Sequence, residues 1–106
     1  MLVKSSIAKY YYNLDSDKET SRLIATSARE IVSVMITAGG TSAAARLWDS
    51  ASSTTGLNPT KSLLIAANAG ESNSFQPVQP IPFCKGLYVV MEQGASQGAE
   101  VFIVYN

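Results

Sequence analysis

Thr20–Thr37, TSRLIATSAREIVSVMIT, is the stretch on which the fold class turns. Just upstream, Ser16 and Glu19 have the spacing of a capping box, which opens a helix by satisfying its first backbone amides. A helix over part of Asp17–Glu30 is therefore the rival reading. Against it stand Ile24, Thr26, Ile31, Val32, Val34, Ile36 and Thr37, all β-branched and stiff at χ1. Val32, Val34 and Ile36 alternate with Ile31, Ser33, Met35 and Thr37, so one face is uniformly apolar and the other mixed. That is the period of a strand. The stretch reads as two strands, Ser21–Thr26 and Glu30–Thr37.

The same rhythm continues on both sides. Ala38-Gly39-Gly40-Thr41-Ser42 reads as a turn in which paired glycines supply positive φ. Ala44–Asp49 is a strand with Arg46 and Trp48 on one face and Ala45 and Leu47 on the other. Ser50–Pro59 is a loop, punctuated by Gly56 and Asn58-Pro59. Thr60–Ala69 forms a strand centred on Leu63-Leu64-Ile65. Glu71–Pro82 is extended, and Pro77, Pro80 and Pro82 confine it to an edge or a crossing connection. Gly86–Gln93 and Ala99–Tyr105 are the clearest strands. The five residues Gly94–Gly98 between them predict an antiparallel hairpin. Upstream, Met1–Leu14 is an N-terminal arm or a first strand, and residues 15–106 form the body of the domain. Seven or eight strands with turns this closely spaced predict a single-domain, all-β, antiparallel β-sandwich or barrel.

Composition narrows the function classes. The 106 residues suit one domain; 46% are hydrophobic and only 15% charged, which favours a packed core over disorder. Eight Lys+Arg balance eight Asp+Glu, so no net charge draws the chain to nucleic acid or an anionic membrane. No apolar run reaches the roughly 18 residues of a membrane helix. Met1–Tyr12 lacks the apolar stretch of a secretory signal, and the one cysteine allows no internal disulfide. These features predict synthesis in a cytoplasm and no membrane partner.

Catalytic and metal motifs fail individually. Gly56–Ser62 brushes against a phosphate loop, but Thr60 stands where the glycine before Lys61-Ser62 is needed, and Pro59 removes an amide donor. Asp15, Asp17 and Glu19 open like a calcium loop, yet Thr20 and Thr26 replace its glycine and its closing glutamate. With no histidine, neither the serines nor Cys84 has the usual activating base, and Cys84 reads as a buried or half-buried thiol. Glu92 and Glu100 flank the expected hairpin and read as rim charges rather than a catalytic pair. The expectation is a non-enzyme with no catalytic residues, no cofactor and no metal.

Four aromatic residues are the candidate interface. Tyr10, Tyr11 and Tyr12 are consecutive, so strand alternation keeps at least one from pointing inward. Tyrosine suits interfaces because it joins a large apolar body to a polar tip. Trp48, beside Arg46, reads as core or as a stacking platform for a sugar or base. Sparse surface charge hints at packing against other copies, because monomers usually guard sheet edges with charge.

From Thr26 onward the chain resembles small virion proteins of tailed bacteriophages. The resemblance is carried by Val32–Ala43, a strand closed by Gly-Gly; by Ala45–Ser52; by Pro80–Val89, with its P-x-P-F-x-K-G-L-Y stretch; and by Gly98–Tyr105. It spans about three-quarters of the chain and leaves out Met1–Ala25. It implies a jelly-roll-like sandwich serving as a capsid decoration (cement) protein on the virion surface. It further implies a homotrimer whose partner is the major capsid protein, while the balanced charge gives the expectation of no nucleic-acid partner. The same pattern fits a tail, head-fibre or connector component. A carbohydrate-binding jelly-roll module, using Trp48 and the Ser50–Pro59 loop, is the alternative outside the virion.

Overall fold

The computed structural model describes residues 10–52 and 62–106. Within them the chain forms nine strands and no helix: β1 (Tyr10–Asp15), β2 (Ser21–Ala25), β3 (Arg29–Thr37), β4 (Ala43–Trp48), β5 (Ser62–Ala67), β6 (Ser72–Phe75), β7 (Ile81–Phe83), β8 (Leu87–Gln93) and β9 (Glu100–Tyr105). Met1–Lys9, most of the Ser50–Pro59 loop and most of the Gly56–Ser62 segment lie outside the described residues.

Two antiparallel sheets divide these strands. One runs β1-β9-β3-β6, with β7 also on β3; the other runs β2-β8-β4-β5. The pairs nest: β4 with β5, β3 with β6, β2 with β8 and β1 with β9. The capping-box helix does not form. Lys18 and Glu19 instead donate their amides to the Asp15 carbonyl in a turn, at 3.0 Å each. The extended 71–82 segment contributes two short strands, β6 and β7, end to end along β3, so the count is nine where seven or eight were expected.

The core lies between the sheets. Leu14, Ile31, Val34, Ile36, Val101 and Ile103 face inward from one side. Ala45, Leu47, Ile65, Leu87, Val89 and Met91 face inward from the other. Each fully buried Leu, Ile or Val contributes about 1.5–3 kcal/mol of transfer free energy. On β3 the buried residues are Ile31, Val34 and Ile36, while Val32 is only half-buried. Simple alternation would have paired Val32 with Val34. A register shift between Ile31 and Ser33, opposite β9, changes the parity and lets Ile31 and Val34 point the same way.

The expected hairpin between the last two long strands is not present. β8 sits between β2 and β4, and β9 sits between β1 and β3, so Gly94–Gly98 crosses from one sheet to the other. Gly94, Ser96 and Gly98 all have positive φ, which turns the chain out of the plane of β8 rather than back along it. Two amphipathic strands each gain two neighbours this way, which a lone hairpin would not give them.

The Gly39-Gly40 pair also has a different cause from the one its sequence suggests. Neither residue has positive φ. Gly39 is needed because a Cβ there would lie 1.7 Å from the Gln97 carbonyl oxygen. The backbone of the crossing presses on this site, and Gly40 donates its amide to that same oxygen at 3.2 Å. A Cβ at Gly40 meets nothing within 4 Å. Gly39→Ala should therefore lower stability by about 1–3 kcal/mol through forced backbone displacement, while Gly40→Ala stays near wild type; urea denaturation midpoints of the two variants provide the comparison.

Candidate functional site

Strand parity carries the outer face of the β1-β9-β3-β6 sheet. Inward Val101, Ile103 and Tyr105 leave Glu100, Phe102 and Val104 pointing out from β9. Inward Leu14 likewise leaves Tyr11 and Asn13 pointing out from β1. Register then builds rows across the sheet. Tyr11 lies opposite Val104, which lies opposite Ser33; Asn13 lies opposite Phe102, then Met35, then Ser74; Asp15 lies opposite Glu100, then Thr37, then Ser72.

These rows make an apolar patch with a polar rim. Tyr11 is 72% exposed and stacks on Phe102, with ring centroids 5.5 Å apart. Met35, two strands further in, is 44% exposed. Around them the Asn13 amide donates to Glu100 Oε1 at 3.2 Å, and the hydroxyls of Thr37 and Ser72 lie 3.2 Å apart. Asn13, Met35, Thr37, Glu100 and Phe102 line an open dish of about 270 Å³. Its aromatic and thioether groups are of the kind enriched at interfaces.

The three candidate tyrosines do not act together. Tyr10 is 47% exposed and stacks on Tyr105 at 5.4 Å, with the Arg29 guanidinium 5.3 Å from its ring centroid. Tyr12 is half-buried against the core; its hydroxyl donates to the Glu19 carboxylate, and the Arg22 guanidinium lies 5.4 Å from its ring. Arg22 also meets Glu19 at 3.6 Å. Only Tyr11 joins the outer patch.

Trp48 is elsewhere. It lies on β4 in the other sheet, on the row between Tyr88 and Ser62, and is buried without belonging to the core between the sheets. The Arg46 guanidinium sits 5.7 Å over its ring, donates to Glu92 at 2.6 Å, and reaches Ser62 Oγ at 2.6 Å. Thus Trp48 presents no free ring for stacking. Glu92 and Glu100 are on different sheets, which removes any pairing between them.

The acidic residues serve as turn pins. Asp15 Oδ1 accepts the Asp17 amide at 3.0 Å, and Asp17 Oδ1 accepts the Gly98 amide at 3.1 Å. The Asp49 carboxylate accepts three consecutive amides, from Cys84 (2.9 Å), Lys85 (2.7 Å) and Gly86 (3.3 Å), and so ties the end of β4 to the turn before β8. Cys84 is exposed, where its sequence suggests a buried or half-buried thiol, because this turn faces solvent. No group of three or more metal-ligating side chains occurs among the described residues. A second open cleft of about 300 Å³ is lined by Ala28, Arg29, Glu30, Pro82, Phe83, Cys84 and Asn106.

Sequence reasoning does not single out Met35, Phe102 or Asn13, and it reads Glu100 only as a rim charge beside the expected hairpin. The available signal was β9 itself, EVFIVY, in which the face opposite Val101 and Ile103 is also apolar at Phe102 and Val104.

No protein family, curated protein or solved structure matches the chain.

Burial raises the Tyr12 hydroxyl pKa above its ordinary value of 10.0; the Glu19 hydrogen bond and charge add to this, and Arg22 partly offsets it. The fold thus favours the neutral phenol. Its contribution is complete below the unfolded value and disappears as pH rises through the higher folded value. Chemical denaturation across the alkaline range should show stability falling more steeply for the wild type than for Tyr12→Phe.

Proposed function

We propose that the chain is a jelly-roll virion protein that decorates the outer surface of a tailed-phage head, acting through protein–protein contacts rather than catalysis. The resemblance carried by Val32–Ala43, Pro80–Val89 and Gly98–Tyr105 points to that class. The nested pairing, β1-β9-β3-β6 facing β2-β8-β4-β5, supports the jelly-roll reading, and jelly rolls recur in viral capsid and lectin domains. One fold hosts many functions, so a surface rather than the topology must single this one out.

The observation that carries it is the Tyr11–Phe102–Met35 patch. Tyr11 and Met35 stand exposed on the outer sheet face on either side of the half-buried Phe102 ring, with hydrogen-bonding groups at the rim. A lattice of major capsid protein repeats one surface many times over. Many weak seats suffice there, because a protein that binds only the assembled shell stabilises it by mass action, and linked copies raise one another's local concentration.

Met35→Lys places a charge at the centre of the patch without touching the core. Co-sedimentation with tailed-phage heads assembled from major capsid protein should show wild-type protein in the pellet and the variant in the supernatant. Wild-type protein left in the supernatant would refute the decoration reading.

A further inference from the structure

The exposed edges of the two sheets are guarded unequally. β2 carries a register shift between Leu23 and Ala25 and the exposed charge of Arg22. On β5, the Ala66 carbonyl is occupied by the Asn73 side-chain amide at 3.0 Å. β6 has only four residues and is followed by Pro77 and Pro80; β7 has three, and its Pro82 has no amide hydrogen. Bulges, charges, prolines and short length are the usual means of keeping an edge from pairing. β1 has none of them before its last residue, Asp15. Its six residues run in unbroken register from Tyr10 opposite Tyr105 to Asp15 opposite Glu100, with no charge from Tyr10 through Leu14.

The two ends of β1 differ in charge. At one end Asp15 lies directly opposite Glu100, a like-charge pair across strands, with Asp17 close by in sequence. None of these carboxylates has an ion-pair partner among the described residues. Like charges so placed cost stability. At the other end the Arg29 guanidinium lies 5.3 Å from the Tyr10 ring centroid, and among the described residues it has no ion pair and its buried Nε no hydrogen-bond partner. An antiparallel neighbour of the same sequence brings the basic end of one copy to the acidic end of the other. A parallel neighbour would instead set Asp15 beside Asp15.

We propose that β1 pairs antiparallel with β1 of a second copy across a two-fold axis at Tyr12, joining the two β1-containing sheets into one. In this register Tyr12 lies opposite Tyr12, Tyr10 opposite Leu14, and Tyr11 opposite Asn13. The interface is self-complementary, as a two-fold requires. It also extends the Tyr11–Phe102 outer patch across the axis, so each copy presents its patch on the same side of the joined sheet. The pairing stands independently of shell binding, because it is a property of the purified chain.

Sedimentation equilibrium of the full chain at micromolar to submillimolar concentration reads the result. The wild type should give twice the chain mass of 11.3 kDa. The double variant Tyr11→Lys with Asn13→Lys sets lysine opposite lysine twice and should weaken the dimer at least about tenfold. Tyr11→Lys with Asn13→Asp sets opposite charges face to face and should keep it. All four side chains replace exposed, outward-facing ones, so circular dichroism should be unchanged. A monomeric or trimeric wild type, or a dimer indifferent to the lysine pair, overturns the two-fold. Met35→Lys, two strands from the edge, should leave the mass unchanged.

Discussion

One apolar layer between the sheets sets the rest of the molecule. Once Val34, Ile36, Val101 and Ile103 face Leu47, Leu87 and Val89, the pleat leaves no freedom over what faces outward. Phe102 and Glu100 are on the outer face because Val101 and Ile103 are on the inner one. A slip of β9 by one residue would bury Glu100 and expose Ile103, a change the low-dielectric core resists on both counts. The candidate site is thus a consequence of core register. Leu14 acts the same way on β1: fully buried, it holds Asn13 and Tyr11 outward against Phe102 and Val104.

Register alone does not hold the crossings between sheets. Those depend on a few carboxylates and one close backbone approach. Asp17 grips Gly98, Ser16 donates to the Ala99 carbonyl at 2.9 Å, and Gly40 grips Gln97, so the 94–99 crossing is held from two sides. Asp49 does the equivalent for the turn before β8 with three amides on one side chain. Charge-assisted acceptors of this kind are about twice as strong as neutral ones. Asp15, Asp17, Glu19 and Asp49 are therefore committed to backbone or side-chain donors of the fold itself. That is why an acidic run which resembles the start of a cation loop is a structural turn here.

Much of the fold was legible because strand alternation is a local property. β2, β3, β4, β8 and β9 fall where β-branched and alternating residues place them, within a residue or two at each end. What was not legible depends on partners distant in sequence. The Gly94–Gly98 link looks like a hairpin loop, and only competition from β1, β2, β3 and β4 for the flanking strands turns it into a crossing. The parity change at Ile31 arises from a bulge against β9, about seventy residues downstream, which no local pattern encodes. Cys84 reads as a small hydrophobe until Asp49, 35 positions away, fixes its backbone in an exposed turn. At the site, the sequence pointed to a tyrosine cluster and a tryptophan. Alternation separates Tyr11 from its neighbours, and sheet assignment separates Trp48 from all three. The partners Tyr11 does acquire, Phe102 and Val104, come from β9 and share no sequence neighbourhood with it.

The two outer faces differ in how far their polar groups are satisfied internally. On the β2-β8-β4-β5 sheet, Arg46 binds Glu92 and Ser62 and covers Trp48, so the central strand spends its charge and its largest ring on its own neighbours. The apolar exposure left on that side is at the edge strands, Leu23 and Leu64. On the opposite sheet the arrangement is reversed. The central strands β9 and β3 carry Phe102 and Met35 outward, no cation stacks on Phe102 among the described residues, and the charged groups are displaced to the Asp15–Glu100 end. Desolvating the first face would strip solvent from a partly exposed ion pair, which is a cost unless a partner replaces those contacts. Desolvating the second removes mainly apolar surface from water and leaves the Asn13–Glu100 and Thr37–Ser72 contacts at the rim. Association energy is therefore available on one side of this sandwich and largely spent on the other, which makes the β1-β9-β3-β6 face the side on which a partner gains most.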